Sequence, residues 1–175
     1  RGTGWRQTEY DLMSAIQLLY LVEYASFYSQ SMIGAGITNV ADWLEYNDYN
    51  PIALTGNSNV IGNAIGNTGG STSALTESTK YLSYRGIENW YGHLWKLADG
   101  ININSNVPYV SNNDTQFADD TATNYTALGV TLCASNGWQN TLAKTDRGFL
   151  PLTVEATSTT KITDYYWQAS DWRVV

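Results

Sequence analysis

Asp99-Gly100, set between two alternating stretches, constrains this chain more than any other feature. Before the pair, Tyr91, His93, Trp95 and Leu97 fall on one face of an extended chain, with Leu94, Lys96 and Ala98 on the other. After it, Ile101 and Ile103 oppose Asn102 and Asn104. Alternation is the period of a half-buried strand, and Asp-Gly suits a type I′ turn because both central residues need φ > 0. The spacing predicts a β-hairpin turning at Asp99-Gly100. The whole stretch from Tyr84 reads as scaffold, not as an active site.

One domain is expected, because 175 residues are enough for one and marginal for two. Hydrophobic content of 43% can supply a core, while charged residues make up only 14% against roughly 25% in an average soluble domain. Asn, Thr, Ser and Gly carry the polarity instead, a composition suited to loop-rich, β-rich extracellular surfaces. The net charge is −7, with nine Lys and Arg spread along the chain. A phosphate backbone or an anionic membrane needs clustered positive charge, so neither is an expected partner. No apolar run reaches the roughly 20 residues of a membrane span. Cys133 is the single cysteine; no intrachain disulfide can form, and its apolar surroundings (Val130 to Ala134) predict a buried thiol. The chain begins at Arg1 without Met and stops at Trp172-Arg173-Val174-Val175, a strand-like run. A fragment or processed piece of a longer protein is the expectation.

Along the chain, Thr8 to Ser31 reads as the one long helix. Thr8 is a plausible N-cap, Glu9 and Asp11 lie in the first turn, and Leu12, Ala15, Ile16, Leu19, Val22, Tyr24 and Ala25 recur near the 3.6 period. Gly34 and Gly36 are expected to end it. Asp42 to Asn50 reads as a short helical turn or a loop anchored by Trp43. Residues 55–73 repeat Gly-Asn between Val60, Ile61 and Ile65, which predicts a series of tight turns. Short strands are expected at Val107–Ser111, Tyr125–Ala134, Gly137–Lys144, Gly148–Val154 and within Asp164–Val175. Asn112 to Asn124 reads as a polar loop. One long helix, a shorter helical element and many short antiparallel strands make an α+β chain.

Catalytic chemistry finds little purchase. His93 is the only histidine, and no Gly-x-Ser-x-Gly or His-x-x-x-His pattern accompanies it. Glu88, Asp99, Asp114, Asp119, Asp120 and Asp164 are the carboxylates a glycan hydrolase would draw on. Asp99 is explained by its turn, and Glu88 is placed to pair with Arg85 or cap a turn. Asn112, Asn113, Asp114, Asp119 and Asp120 offer oxygens to calcium, but the spacing matches no EF-hand. No metal or cofactor is expected.

Aromatic residues carry the functional signal. Seven Trp and thirteen Tyr exceed what one core needs, and Trp95, Trp43 and Trp5 are the first candidates for burial. Tyr165-Tyr166-Trp167 cannot all face inward from one strand, so at least one points outward. Outward Tyr and Trp stack on sugar rings or fill protein pockets at small entropic cost. The candidate ligand-binding set is Trp138, Gln139, Asn140, Tyr165, Tyr166, Trp167 and Trp172.

The run Tyr84-Arg85-Gly86-Ile87-Glu88-Asn89-Trp90-Tyr91-Gly92-His93-Leu94-Trp95-Lys96-Leu97-Ala98-Asp99-Gly100-Ile101-Asn102-Ile103 resembles a pattern in phage tail-fibre and tail-tip proteins, and related bacterial surface proteins, with C-type-lectin-like domains. Tyr28 to Ile37, Gly148-Phe149-Leu150-Pro151 and Thr163-Asp164-Tyr165-Tyr166-Trp167 match it in the same order. The resemblance implies a C-type-lectin-like fold and a non-enzymatic receptor-binding domain, displayed on the virion tail or another extracellular surface. It implies attachment to a host-cell-surface glycan or protein, and a homo-oligomer, a trimer among the options, packed with other virion or fibre subunits. Two alternatives stand: a structural virion or appendage domain whose aromatics bury against sister subunits, and a glycan hydrolase using Asp and Glu. The calcium signatures of sugar-binding C-type lectins are missing. The oxidase chemistry of formylglycine-generating enzymes, which share that fold superfamily, needs paired cysteines and is excluded.

Overall fold

Glu9 stands at the N-cap of the first helix, α1 (Tyr10–Tyr24), where its side chain makes no capping bond. Thr8, the expected cap, is held elsewhere: its carbonyl accepts from Asp99 N (2.8 Å), and Asp99 O accepts from Tyr10 N (2.8 Å). These bonds flank a parallel bridge between Glu9 and Asp99. The computed structural model describes residues 4–34, 36–37, 55–68, 81–91, 96–118, 120–160, 162 and 164–168. They divide into two compact units, residues 28–95 and residues 1–27 with 96–175. Both helix and antiparallel sheet are present, an α+β chain. Trp43, His93, Trp95 and the element expected over Asp42 to Asn50 lie outside the described residues.

In the larger unit, α1 ends at Tyr24, ten residues before Gly34, and its C-cap Ala25 takes the left-handed conformation (φ 48°) and returns its N–H to Leu21 O at 2.9 Å. The helix buries Ser14, Ile16 and Tyr20 and leaves Leu12, Ala15, Leu19 and Val22 exposed. The face expected to be core is therefore largely the outer one. Two polar side chains explain the reversal. Ser14 Oγ donates to Arg147 O, while Gln17 bonds both backbone groups of Phe149, accepting from N (3.0 Å) and donating to O (3.4 Å).

Those groups belong to a long hairpin of β7 (Gly137–Thr145) and β8 (Gly148–Glu155), numbered in chain order, with short β9 (Tyr165–Tyr166) completing the order β8-β7-β9. β8 is an edge strand, which is why Pro151 is tolerated in it. An unpaired edge invites foreign strands, and at Phe149 the Gln17 amide takes the place of a neighbouring strand. Gly148 (φ +101°) allows the approach: a Cβ there would meet Gln17 Oε1 at 2.7 Å and Ser14 Oγ at 3.1 Å.

A second sheet, β4 (Ile101–Asn104), β5 (Val107–Val110) and β6 (Thr126–Ala127), packs Ala98, Ile101 and Val110 against Tyr10, Met13 and Leu128 of the same unit. Its hairpin corrects the expected turn. Ser105 (φ 51°) and Asn106 (φ 63°) supply the two positive angles of a I′-type turn, whereas Asp99 is not among the positive-φ residues. Lys96–Ala98 form no strand. Asn102, on the face opposite Ile101 and Ile103, is also buried; its Nδ2 donates to Ala118 O and Thr121 O, both at 2.7 Å, and pins the loop after β5.

The smaller unit contains α2 (Ser29–Met32), a 3-10 turn at Asn59–Ile61, and the sheet β1 (Gly66–Thr68), β2 (Tyr81–Tyr84) and β3 (Ile87–Glu88). The specific sequence block reads as scaffold residue by residue. Arg85 (φ 51°) and Gly86 (φ 82°) make the β2–β3 turn, and Asn89 (φ 49°) bonds Leu82 N through its side chain at 3.2 Å. Glu88 accepts from Gly56 N (2.8 Å), Ser58 N (2.6 Å) and Ser58 Oγ (2.7 Å), so it caps a turn, one of its two expected roles. Tyr91 Oη donates to Gly34 O at 2.6 Å, and Gly34 (φ 137°) follows the Ile33 C-cap of α2, so it closes this short helix and not α1.

Candidate functional site

β9 resolves the three adjacent aromatics by strand period. Tyr165 (40% exposed) and Trp167 (62%) turn to one side and Tyr166 (4%) to the other. Trp138 lies directly across the ladder from Tyr165. Its ring meets Tyr165 edge-on at 5.3 Å between centroids (interplanar angle 87°), and Tyr165 meets Trp167 at 4.8 Å, tilted by 52°. The three rings form a contiguous row at one end of the β8-β7-β9 sheet. The exposed face of Trp167 is its outer step.

The flanking groups are polar and mostly neutral. Gln168 N donates to Asn136 Oδ1 (2.6 Å), and Gln168 Nε2 reaches Asn106 Oδ1 (3.5 Å). On the far side of Trp138, Glu155 is its cross-strand partner, and Asn140 Nδ2 donates to Glu155 Oε1 at 2.5 Å. The β7–β8 register shifts between Gln139 and Thr141 and back between Thr141 and Leu142. Asn140 is thus an extra residue in the ladder, and such bulges re-aim side chains. Gln139 is fixed through its backbone, N donating to Asp164 O at 3.0 Å.

The structure thus brings Trp138, Asn140, Tyr165 and Trp167 together. Tyr166 sits on the inner face and is not part of the exposed row, and Trp172 lies outside the described residues. Sequence reasoning missed Glu155, Asn136 and Gln168. Glu155 could be found only by knowing the register, which the paired irregularities at Asn140 and Leu152 obscure. Trp5, expected in the core, is 80% exposed.

The other candidates are differently employed. Asp114 ion-pairs with Arg6, and Asn113 Oδ1 accepts from Thr115 N (3.1 Å) and Thr115 Oγ1 (2.8 Å), so these oxygens of the loop weighed for calcium are engaged within the protein. Asp119 lies outside the described residues, and among those described no three His, Cys, Asp or Glu side chains are grouped for a metal. Cys133 is half-buried, with Sγ 3.5 Å from Ser135 O. A groove of about 430 Å³ lies at the other end of the β7–β8 hairpin. Asn112, Gln116, Asn124, Asp146 and Arg147 line it, with no aromatic wall. No helix among the described residues is long and apolar enough to cross a membrane. No protein-family model, curated protein or solved structure matches the chain.

Proposed function

We propose that the chain is a C-type-lectin-like, non-enzymatic binding domain of a phage tail fibre or similar surface protein. It recognises a host-cell-surface glycan or protein through the Trp138–Tyr165–Trp167 row. The observation that carries this reading is a row of three touching aromatic rings, Tyr165 and Trp167 exposed and Trp138 half-buried, at a sheet end rimmed by Asn and Gln. A contiguous exposed apolar patch with a polar rim is a recognition surface more often than a structural accident. Flat ring faces beside amide donors and acceptors suit a sugar, whose C–H face stacks while its hydroxyls bond.

The test is a glycan array probed with the purified protein and with Trp138→Ala and Trp167→Ala. Binding that both substitutions weaken, with melting unchanged, supports the reading. Binding indifferent to both would overturn it. Tyr166→Ala is unsuitable, because removing a buried ring perturbs the fold.

A second reading, packing against sister subunits, is favoured by a separate observation. Leu12, Ala15, Leu19 and Val22 lie along one side of α1 and are exposed, Val22 at 83%. The two readings are compatible, since a fibre subunit both assembles and attaches.

A further inference from the structure

We propose that the aromatic row selects an uncharged glycan over an anionic one, with Glu155 as the specificity-determining residue; this rests on the glycan reading above. Glu155 is exposed and lies opposite Trp138 across the ladder, at the end of the row away from Trp167, so a sugar stacked along the row reaches its carboxylate at the Trp138 end. Asn140 occupies Oε1, while Oε2 makes no hydrogen bond to a described residue. A carboxylate only accepts hydrogen bonds: it welcomes sugar hydroxyls and repels a second carboxylate or a sulfate. Binding an anionic sugar calls for a guanidinium or a nest of backbone N–H groups. Among the described residues, the side chains bonded around this row are the Glu155 carboxylate and the neutral amides of Asn106, Asn136, Asn140 and Gln168.

The row does not form a cage for a cation. Centroid separations of 5.3 and 4.8 Å mean that the rings pack on one another, leaving no gap for an ammonium group. The mutual tilts also rule out one flat platform, so the ligand is a single flexible oligosaccharide chain, not the plane of an ordered polysaccharide surface.

The experiment titrates the protein, at low salt and at high salt, with a neutral oligosaccharide and with its uronic- or sialic-acid-bearing counterpart. Wild type and Glu155→Gln are compared; Gln keeps the side-chain shape and an oxygen for Asn140. In wild type the anionic counterpart binds about two- to fivefold more weakly at low salt, the size expected of an exposed like-charge contact. That gap narrows at high salt and closes in Glu155→Gln, whose melting temperature stays near wild type. Equal or tighter binding of the anionic sugar by wild type, or a gap that Glu155→Gln leaves unchanged, overturns the selectivity while leaving the glycan reading intact. Binding to neither sugar, or to a basic peptide instead, overturns the glycan reading itself.

Discussion

Asn102 is a buried amide whose two N–H groups hold two loop carbonyls, those of Ala118 and Thr121. Asn102→Ala removes both donors and leaves a cavity, at an expected cost of about 2–4 kcal/mol in chemical denaturation. Tyr10 gives the chain a pH signature. Burial first, then the neighbouring Asp11, pushes its hydroxyl up to about 12, against a smaller opposing effect of Arg147. A group whose folded pKa is raised contributes stability below its unfolded pKa, near 10, and loses it as pH climbs toward 12. The loss expected is on the order of 2 kcal/mol. Melting followed between pH 9 and 12 should therefore fall less steeply in Tyr10→Phe than in wild type. That at least one of Tyr165, Tyr166 and Trp167 faces outward was legible at this scale from a strand's period of two, but which face is buried was not, and Tyr166 is the inward ring. The exposure of Trp5 was not, since side-chain type alone does not fix what packs on it.

Among the elements, α1 was legible as a helix and misleading as a face. Its apolar residues surround the axis, so periodicity could not reveal that Ser14 and Gln17 dock it onto the β8 edge. Gly148→Ala should separate the two elements, since a Cβ there has no room beside Gln17 and the left-handed φ adds strain. A loss of about 2–3 kcal/mol is expected. Gln17→Leu should cost about 1–3 kcal/mol by leaving the Phe149 N–H and C=O without their partner. Hydrogen exchange localised to Phe149 would distinguish this loss from a general one. The hairpin teaches the same lesson from the other side. Asp-Gly was the stronger local signal, but Asp99 is tied to Thr8 and Tyr10, and Ser105-Asn106 takes the turn. A distant backbone pairing outweighs a preference of a fraction of a kcal/mol.

At the scale of the whole molecule, two surfaces invite company: the aromatic row at one sheet end and the apolar side of α1. If the helix side mediates assembly, Val22→Lys should shift sedimentation toward monomer and leave glycan binding unchanged. No change in an oligomeric wild type would place assembly elsewhere. The α+β class was legible from helix length and strand spacing. The ligand-facing register was not, because it depends on two compensating irregularities in the β7–β8 ladder. The measurement that bears most directly on the central claim is surface plasmon resonance over immobilised neutral oligosaccharides, comparing wild type, Trp167→Ala and Trp5→Ala. Covering about 100 Å² of the outer indole face is worth about 2 kcal/mol, or roughly thirtyfold in affinity. Trp167→Ala should therefore bind at least tenfold more weakly, with Trp5→Ala equal to wild type. Equal loss in both variants, or no loss in Trp167→Ala, would contradict the assignment of the aromatic row as the binding surface.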